Sequence, residues 1–204
     1  MPSPQTPLIL LGGASGAGKS YLAARYGRPH VELDNFYREL AEHTAGTPLP
    51  LTPYDEVDWD HPGTWNRDAA VEALVGLLGR GRTEVPDYSI ASSSHSGYRT
   101  VSLAEGPVVA EGVFVDEVAG PLRARGVAAD AVYIDVHPLT TAVRRFVRDV
   151  RERRKPVPFL LRRGWALFRA DSANRRRYLA AGFRPLAKRR VRALLAGPVA
   201  SDAP

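Results

Sequence analysis

Short apolar runs alternate with segments of helical spacing along the first three quarters of the chain. Four runs have the length and composition of buried strands: residues 8–12, 30–33, 108–110 and 131–136. Three intervals are predicted to be helical: residues 21–26, 65–78 and 138–154. Strands that alternate with helices are typical of a parallel sheet covered by helices on both faces. We therefore predict an α/β fold in three layers, with a mainly parallel five-stranded sheet.

The flanking residues of the second helix predict where it begins and ends. Thr64 is the predicted N-cap, because a threonine hydroxyl can accept a hydrogen bond from a first-turn N–H group. Gly79 is predicted to follow the last turn, since glycine is favoured just past a helix.

Two intervals interrupt the alternation. Residues 44–63 are rich in Pro, Thr and Asp and are predicted to form a long functional loop. Residues 83–103 have strand-like ends around a polar tip and are predicted to form a small β-hairpin insertion. A chain of this length is typical of one core, so we expect residues 1–204 to form a single domain with a helical lid over about 145–165.

The first apolar run leads into a glycine-rich segment that fits the phosphate-binding loop pattern G-x4-G-K-[ST]. Its residues are Gly13, Ala14, Ser15, Gly16, Ala17, Gly18, Lys19 and Ser20. Glycines let backbone N–H groups surround phosphate oxygens, and the following helix adds partial positive charge at its N-terminus. We expect Lys19 to reach the β- and γ-phosphates of ATP and the Ser20 hydroxyl to hold Mg²⁺. The alternative is a strand-to-helix turn without a ligand.

Composition restricts the class of protein. The chain has no cysteine, which excludes disulfides, cysteine-ligated zinc and thiol catalysis. No apolar stretch approaches the roughly 18 residues of a membrane span, and the first seven residues lack the basic and apolar regions of a signal peptide. We therefore expect a cytoplasmic location and no membrane partner.

Charge is divided unevenly along the chain. Residues 144–192 hold 18 of the 28 Lys and Arg and only three acids, a net charge of +15 that leaves −9 for the remainder. Such a segment suits a polyanion, either the phosphates of a bound nucleotide or RNA. A solvated arginine-rich face is the alternative. The sequence does not determine whether the chain forms a homo-oligomer.

Four further elements follow the phosphate loop in order. They are Asp34-Asn35-Phe36-Tyr37, Asp58-Trp59-Asp60-His61-Pro62, Glu111-Gly112 and the arginine-rich stretch 144–153. Together with the phosphate loop, this set resembles the uridine/cytidine kinase family of phosphoribulokinase-like P-loop kinases over residues 7 to about 155. The sequence has no Asn/Thr-Lys-x-Asp guanine-reading motif, which argues against a GTPase.

The resemblance implies roles for three carboxylates. Asp34 would be the general base for the acceptor hydroxyl and would share Mg²⁺; its alternative role is a helix N-cap. Asp60 would bind the ribose hydroxyls or, alternatively, form an Asp-x-Pro turn. Glu111 would be a Mg²⁺ ligand with Ser20, because a buried carboxylate needs a partner; a helix-capping or salt-bridge role is the alternative.

The resemblance also implies an arginine-rich lid. Arg145 and Arg148, three residues apart on one helix face, would neutralise the transferring phosphoryl group, and Arg145 would also contact the acceptor. Arg153 would bind the nucleotide. The family's Glu-Arg-Gly-Arg lid is Glu-Arg-Arg-Lys over 152–155 in this chain, so the glycine is missing and a lysine replaces one arginine fork. A solvated basic face is the alternative.

Tyr37, Tyr88 and His95 are the candidates that would surround the acceptor. By resemblance, an aromatic ring packs against the pyrimidine and an imidazole reads it. The segment between Tyr88 and His95 is two residues longer than is usual in the family, so base recognition departs most from the family here. A water-exposed loop histidine is the alternative for His95.

The sequence therefore predicts an ATP- and Mg²⁺-dependent kinase acting on the 5′-hydroxyl of uridine or cytidine. One rival is a kinase of another small alcohol, such as a vitamin, a sugar or another nucleoside, on the same scaffold. The other is an RNA-binding or regulatory P-loop ATPase, which rests on the basic C-terminal third.

Overall fold

The computed structural model describes residues 7–14, 16–136 and 173–197. Within them the strands are β1 (Leu8–Gly13), β2 (His30–Glu32), β3 (Arg82–Ser89), β4 (Ser94–Ser102), β5 (Val108–Glu111), β6 (Ala129–Asp135) and β7 (Arg184–Ala187). The helices are α1 (Lys19–Tyr26), α2 (Leu40–Thr44), α3 (Arg67–Arg80), α4 (Asp116–Ala124), α5 (residues 173–180) and α6 (Lys188–Ala196). Two short 3-10 turns span Leu33–Phe36 and Pro62–Thr64.

Five strands form one sheet in the order β2-β5-β1-β6-β7, and every neighbouring pair is parallel. In the register of the central strand β1, Leu8 lies opposite Val108 of β5 and Ala129 of β6. Parallel pairing places the carboxyl ends of all five strands at one edge, where α/β sheets bind ligands. The predicted α/β fold is confirmed.

Alternate residues of the central strand supply two apolar clusters, one on each face of the sheet. Leu8 and Leu10 pack in the cluster that includes α3, α4 and the hairpin, whereas Ile9 and Leu11 pack with α1 and α6. Successive strand side chains point to opposite faces, so a strand buried on both faces needs a continuous apolar run. This explains why the sequence of β1 has no polar position before Gly12.

β3 and β4 form the predicted hairpin as a separate antiparallel pair. Its register runs from Arg82 opposite Ser102 to Ser89 opposite Ser94. An irregularity interrupts the register just before Tyr88. Such bulges bend a strand and change the direction of a side chain. The residue affected here is Tyr88, which is predicted to contact the acceptor substrate.

Helix α3 begins and ends two residues later than the sequence pattern predicts. Asn66 is its N-cap, because the Asn66 side chain accepts a hydrogen bond from a first-turn N–H group. Thr64 is not the cap; its hydroxyl belongs to the preceding 3-10 turn. The helix ends at Arg80, and the glycine that follows it is Gly81, with φ 76° in the left-handed region, rather than Gly79, which lies inside the helix.

Several predictions concern residues outside the described ranges. The lid over about 145–165, with Arg145, Arg148 and Arg153, is among them, and so is Ser15. The one-domain organisation stays a prediction. In the described ranges, no helix is both long and apolar enough to cross a membrane.

Candidate active site

Polar elements from four strand ends meet at the carboxyl edge of the sheet. The phosphate loop follows β1, Asp34 lies in the turn after β2, Glu111 ends β5, and Lys188 begins α6 directly after β7. Parallel pairing brings these ends to one edge although they are far apart in sequence. This edge is the candidate active site.

The phosphate loop has a backbone suited to anion binding. Gly18, the residue before α1, has φ 93° and ψ 32°, a left-handed conformation that only glycine adopts readily. The first-turn N–H groups of α1 favour the binding of an anion, such as a phosphate, at the adjoining loop. Lys19 Nζ donates a hydrogen bond to the Gly13 carbonyl oxygen at 2.9 Å, which folds its side chain back over the loop.

A second lysine reaches the loop from the far end of the chain. Lys188 Nζ lies so close to Gly18 that a Cβ added there would collide with it, and Lys188 Cε would be 3.3 Å away. The same Nζ lies 5.9 Å from the centre of the Tyr21 ring, within cation–π range. The sequence did not predict this contact, because nothing in it indicates that β7 lies two strands from β1.

Asp34 is held by a backbone group that follows another strand. Its Oδ1 accepts a 2.7 Å hydrogen bond from the Val113 N–H, and the Asp34 side chain does not cap its own turn. Burial raises the pKa of the Asp34 carboxyl; the Val113 hydrogen bond lowers it, Glu111 raises it and Lys19 lowers it. Asp34 therefore lies within electrostatic reach of both a predicted metal ligand and the loop lysine.

Glu111 is buried at the end of β5, with only 5% of its surface exposed. Its Oε1 lies 3.3 Å from Nε2 of His30, so the salt-bridge alternative has a partner that the sequence did not single out. Among the residues that the structure describes, no group of three or more His, Cys, Asp or Glu is arranged to hold a metal. The predicted Mg²⁺ set is smaller, since it consists of two carboxylates and the Ser20 hydroxyl.

Tyr37 is the centre of an aromatic cluster beside Asp34. The centre of its ring lies 5.6 Å from that of Tyr88 and 6.0 Å from those of Trp59 and Phe114. The Tyr37 hydroxyl donates to the Trp59 carbonyl oxygen at 3.3 Å. The cluster joins the turn after β2, the long loop, the hairpin and the segment after β5.

The hairpin brings Tyr88 and His95 to this cluster. Their ring centres are 5.6 Å apart, at an interplanar angle of 70°. His95 Nε2 lies 3.0 Å from the Tyr37 carbonyl oxygen, which suits the tautomer with its proton on Nε2. The His95 backbone N–H donates to Glu39 Oε1 at 2.7 Å. His95 is therefore a half-buried strand residue rather than an exposed loop histidine.

Asp60 is exposed and directly follows Trp59, a member of the cluster. Burial raises the pKa of the Tyr37 hydroxyl, and the charges of Asp34 and Asp60 raise it further, so both carboxylates lie within electrostatic reach of Tyr37. The cap of the following 3-10 turn is His61, whose Nδ1 accepts from the Gly63 N–H at 2.9 Å. The structure thus brings Tyr88 and His95 together with Tyr37, and Asp60 affects the same tyrosine through its charge; Arg145 lies outside the described residues.

Known proteins similar to this chain include several named uridine kinase. One from Haemophilus influenzae is 27% identical over 169 residues, which cover 75% of this chain and 73% of the relative. One from Macrococcus caseolyticus is 24% identical over 156 residues, covering 73% of this chain and 71% of the relative. No protein-family profile matches the chain. These similarities confirm the predicted resemblance to the uridine kinases and the class of phosphotransferases.

The fold is also similar to that of a solved kinase. A candidate fructose transport system kinase from Silicibacter sp. TM1040 superposes with a TM-score of 0.63 at 17% identity. The match covers 91% of this chain and 89% of that one. At this identity the similarity supports the fold.

Proposed function

We propose that this protein is an ATP- and Mg²⁺-dependent kinase that phosphorylates the 5′-hydroxyl of a pyrimidine nucleoside, uridine or cytidine. The observation that carries the proposal is the position of Asp34. Its carboxylate is aimed by the Val113 N–H and lies near enough to Lys19 for the lysine to lower its pKa. A base beside the phosphate loop can take the proton of a hydroxyl that attacks the γ-phosphate.

On the donor side, backbone N–H groups of the phosphate loop and Lys19 bind the triphosphate, and Lys188 adds a second ammonium beside Gly18. The Ser20 hydroxyl and the carboxylates of Glu111 and Asp34 are the hard oxygen ligands that Mg²⁺ prefers, so the residues present fit this metal. Glu111 is buried, and a buried carboxylate is stabilised either by a bound cation or by a side-chain partner such as His30, whose Nε2 lies 3.3 Å from its Oε1. Bound Mg²⁺ supplies neutralisation of the phosphate charge.

On the acceptor side, Asp60 accepts hydrogen bonds from the two neighbouring ribose hydroxyls. Tyr37, Tyr88 and His95 pack around the base. Support comes from their arrangement, since successive ring centres lie 5.6 Å apart next to Asp34. Positioning and electrostatics dominate phosphoryl transfer, so the main task of these residues is to orient the acceptor hydroxyl.

Three arginines complete the proposal from the sequence alone. Arg145 and Arg148 neutralise the transferring phosphoryl group, Arg145 also contacts the acceptor, and Arg153 binds the nucleotide. All three lie outside the described residues.

A second candidate is a kinase of another small alcohol on the same scaffold. The hairpin favours it, because Tyr88 and His95 pair directly across β3 and β4 beside the register irregularity. The connection between these residues is also longer than in the uridine kinase pattern. A longer connection between Tyr88 and His95 changes the part of the site that would contact the base.

A panel of acceptors distinguishes the two candidates. We expect Mg²⁺-dependent transfer from ATP to uridine or cytidine, and no transfer after chelation of the metal. Turnover of another nucleoside, a sugar or a vitamin, with none of uridine or cytidine, would favour the second candidate. Absence of transfer to every acceptor would remove the kinase proposal.

Asp34→Asn tests the base directly. The amide keeps the size of the side chain but cannot take a proton, so we expect ATP binding to persist and turnover to fall on the order of 10²-fold or more. Asp55→Asn is the matched control, because Asp55 lies at an exposed position of the long loop. We expect its turnover to stay normal. Near-normal turnover of Asp34→Asn would show that Asp34 is not the base.

A further inference from the structure

Helix α5 is attached by two side chains to the turn that follows β5. Arg177 Nη2 donates to the Val113 carbonyl oxygen at 3.0 Å. The Tyr178 hydroxyl donates to the same oxygen at 2.9 Å and lies 3.4 Å from the Gly112 carbonyl oxygen. One backbone turn therefore receives donors from two consecutive residues of a helix that lies more than 60 positions later in the sequence.

Arg177 is itself held in place by a buried acid. Its Nε lies 2.6 Å from Asp116 Oδ2 and its Nη2 lies 3.1 Å from Asp116 Oδ1, and the Asp116 side chain is only 2% exposed. The guanidinium also lies 5.6 Å from the Phe114 ring centre and 5.5 Å from that of Tyr178. A planar guanidinium fixed by a carboxylate and two rings has little freedom to move away from Val113.

The Tyr178 hydroxyl is fixed by the packing of its ring. Tyr178 is buried, and its ring centre lies 5.1 Å from that of Phe183. The ring also lies directly against Gly12 of β1, where an added Cβ would be 2.6 Å from Tyr178 Cε1. Burial raises the pKa of the phenol, so the hydroxyl stays protonated and remains a hydrogen-bond donor.

The other side of the same turn meets Asp34. The Val113 N–H donates to Asp34 Oδ1, and the peptide unit that carries this N–H also carries the Gly112 carbonyl oxygen. The fit is tight, because a Cβ added to Gly112 would lie 2.7 Å from Asp34 Oδ1. A rotation of this peptide unit would therefore redirect the carboxylate.

We propose that Arg177 and Tyr178 are positioning residues for phosphoryl transfer: they fix the Gly112–Val113 turn, and the turn aims the Asp34 carboxylate at the acceptor hydroxyl. This inference rests on the proposed function. Neither residue touches the phosphate loop in the described contacts, so their effect belongs to the chemical step rather than to nucleotide binding. An error of about 1 Å in the position of a catalytic group can cost on the order of 10²-fold in rate.

Tyr178→Phe is the sharpest test, because it removes one oxygen and keeps the packed ring. We expect kcat to fall on the order of tenfold, while KM for ATP and the thermal midpoint stay close to those of the unaltered protein. In an Asp34→Asn background the same change should have no further effect on kcat, since the residue acts through Asp34.

Arg177→Met tests the second donor, with Arg176→Met as the matched control on the exposed side of the same helix. We expect Arg177→Met to lower kcat and Arg177→Lys to recover part of the loss, because a lysine can still donate to Val113. If Arg177→Met does not fold, Tyr178→Phe alone carries the test. Amide hydrogen exchange at Val113, which needs no substrate, should be faster in Tyr178→Phe than in the unaltered protein.

The outcomes separate this inference from the kinase proposal. Faster exchange at Val113 with a kcat loss that disappears in the Asp34→Asn background supports it. If kcat in Tyr178→Phe stays within about twofold of the Arg176→Met control, or if its loss persists without Asp34, the inference is wrong. An unaltered protein that phosphorylates no acceptor would instead overturn the proposed function.

Discussion

Asp34 is exposed to solvent, yet protein atoms pack around part of its carboxylate. The enclosing atoms raise its pKa, and the opening leaves room for a hydroxyl group. The strand pattern and the resemblance predicted that Asp34 and Glu111 would lie beside the phosphate loop. The contacts with Val113 and His30 could not be predicted, because backbone direction after a strand and pairing between β2 and β5 have no local signal in the sequence.

Gly112→Ala is predicted to reduce catalysis by displacing the Asp34 carboxylate. The added Cβ would lie 2.7 Å from Asp34 Oδ1, so the carboxylate must move. We expect kcat to fall on the order of tenfold or more, measured by steady-state kinetics. Gly79→Ala is the control: no heavy atom lies within 4 Å of its Cβ position, and alanine should stabilise α3 by about 0.5–1 kcal/mol. An unchanged kcat in Gly112→Ala would show that Asp34 needs no exact placement.

Glu111→Gln and His30→Ala together distinguish the metal role of Glu111 from its salt-bridge role. If Glu111 holds Mg²⁺, the glutamine variant needs a higher Mg²⁺ concentration for half-maximal rate, because a neutral amide is a weaker ligand. We expect His30→Ala to leave this concentration close to normal. A titration of activity against Mg²⁺ measures both. The opposite pattern, with His30→Ala altered and Glu111→Gln normal, would assign Glu111 to the contact with His30.

The elements differ in how clearly the sequence reveals them. β1 and β5 are buried on both faces, so their continuous apolar runs identify them. β7 is an edge strand with mostly exposed residues and a proline, so the sequence predicted a fifth strand without locating it. The start of α3 was misplaced because Trp65 stays outside the helix, where its indole N–H donates to the Leu33 carbonyl oxygen at 2.7 Å.

Lys188→Met is predicted to weaken ATP binding. The change removes the ammonium beside Gly18 and keeps an unbranched side chain at the start of α6. We expect KM for ATP to rise on the order of tenfold, with little change in KM for the acceptor, since charge-assisted hydrogen bonds to phosphate are strong. Arg189→Met, at the exposed next position, should leave both values unchanged. Equal KM values for ATP in the two variants would show that Lys188 does not contribute to ATP binding.

At the scale of the whole molecule, part of the basic C-terminal charge is neutralised internally. Three cations from the basic segment pair with acids from the rest of the chain: Arg175 with Asp135, Arg177 with Asp116 and Arg184 with Asp130. The sequence predicts the division of charge, because that is a matter of counting. It does not predict these pairs, because they join β6 and α4 to elements that follow much later.

RNA binding is therefore predicted to be weaker than the charge of the basic segment alone would suggest. The paired arginines are less available to phosphates, and counterion release requires cations that can contact the nucleic acid. We expect no tight binding of single-stranded or duplex RNA in a filter or fluorescence assay at physiological salt. Tight binding that falls steeply with added salt, without phosphorylation of any acceptor, would favour the RNA-binding ATPase over the kinase.

The packing of Tyr178 against Gly12 has a consequence for the order in which the protein becomes active. The phosphate loop directly follows β1 and is synthesised before the side chains that orient the Gly112–Val113 turn, which lie in α5 shortly before β7. The glycine-rich loop is thus synthesised well before Arg177 and Tyr178, the residues that position the proposed base Asp34. Gly12, with no side chain of its own, keeps a space on β1 for a ring that arrives more than 160 residues later.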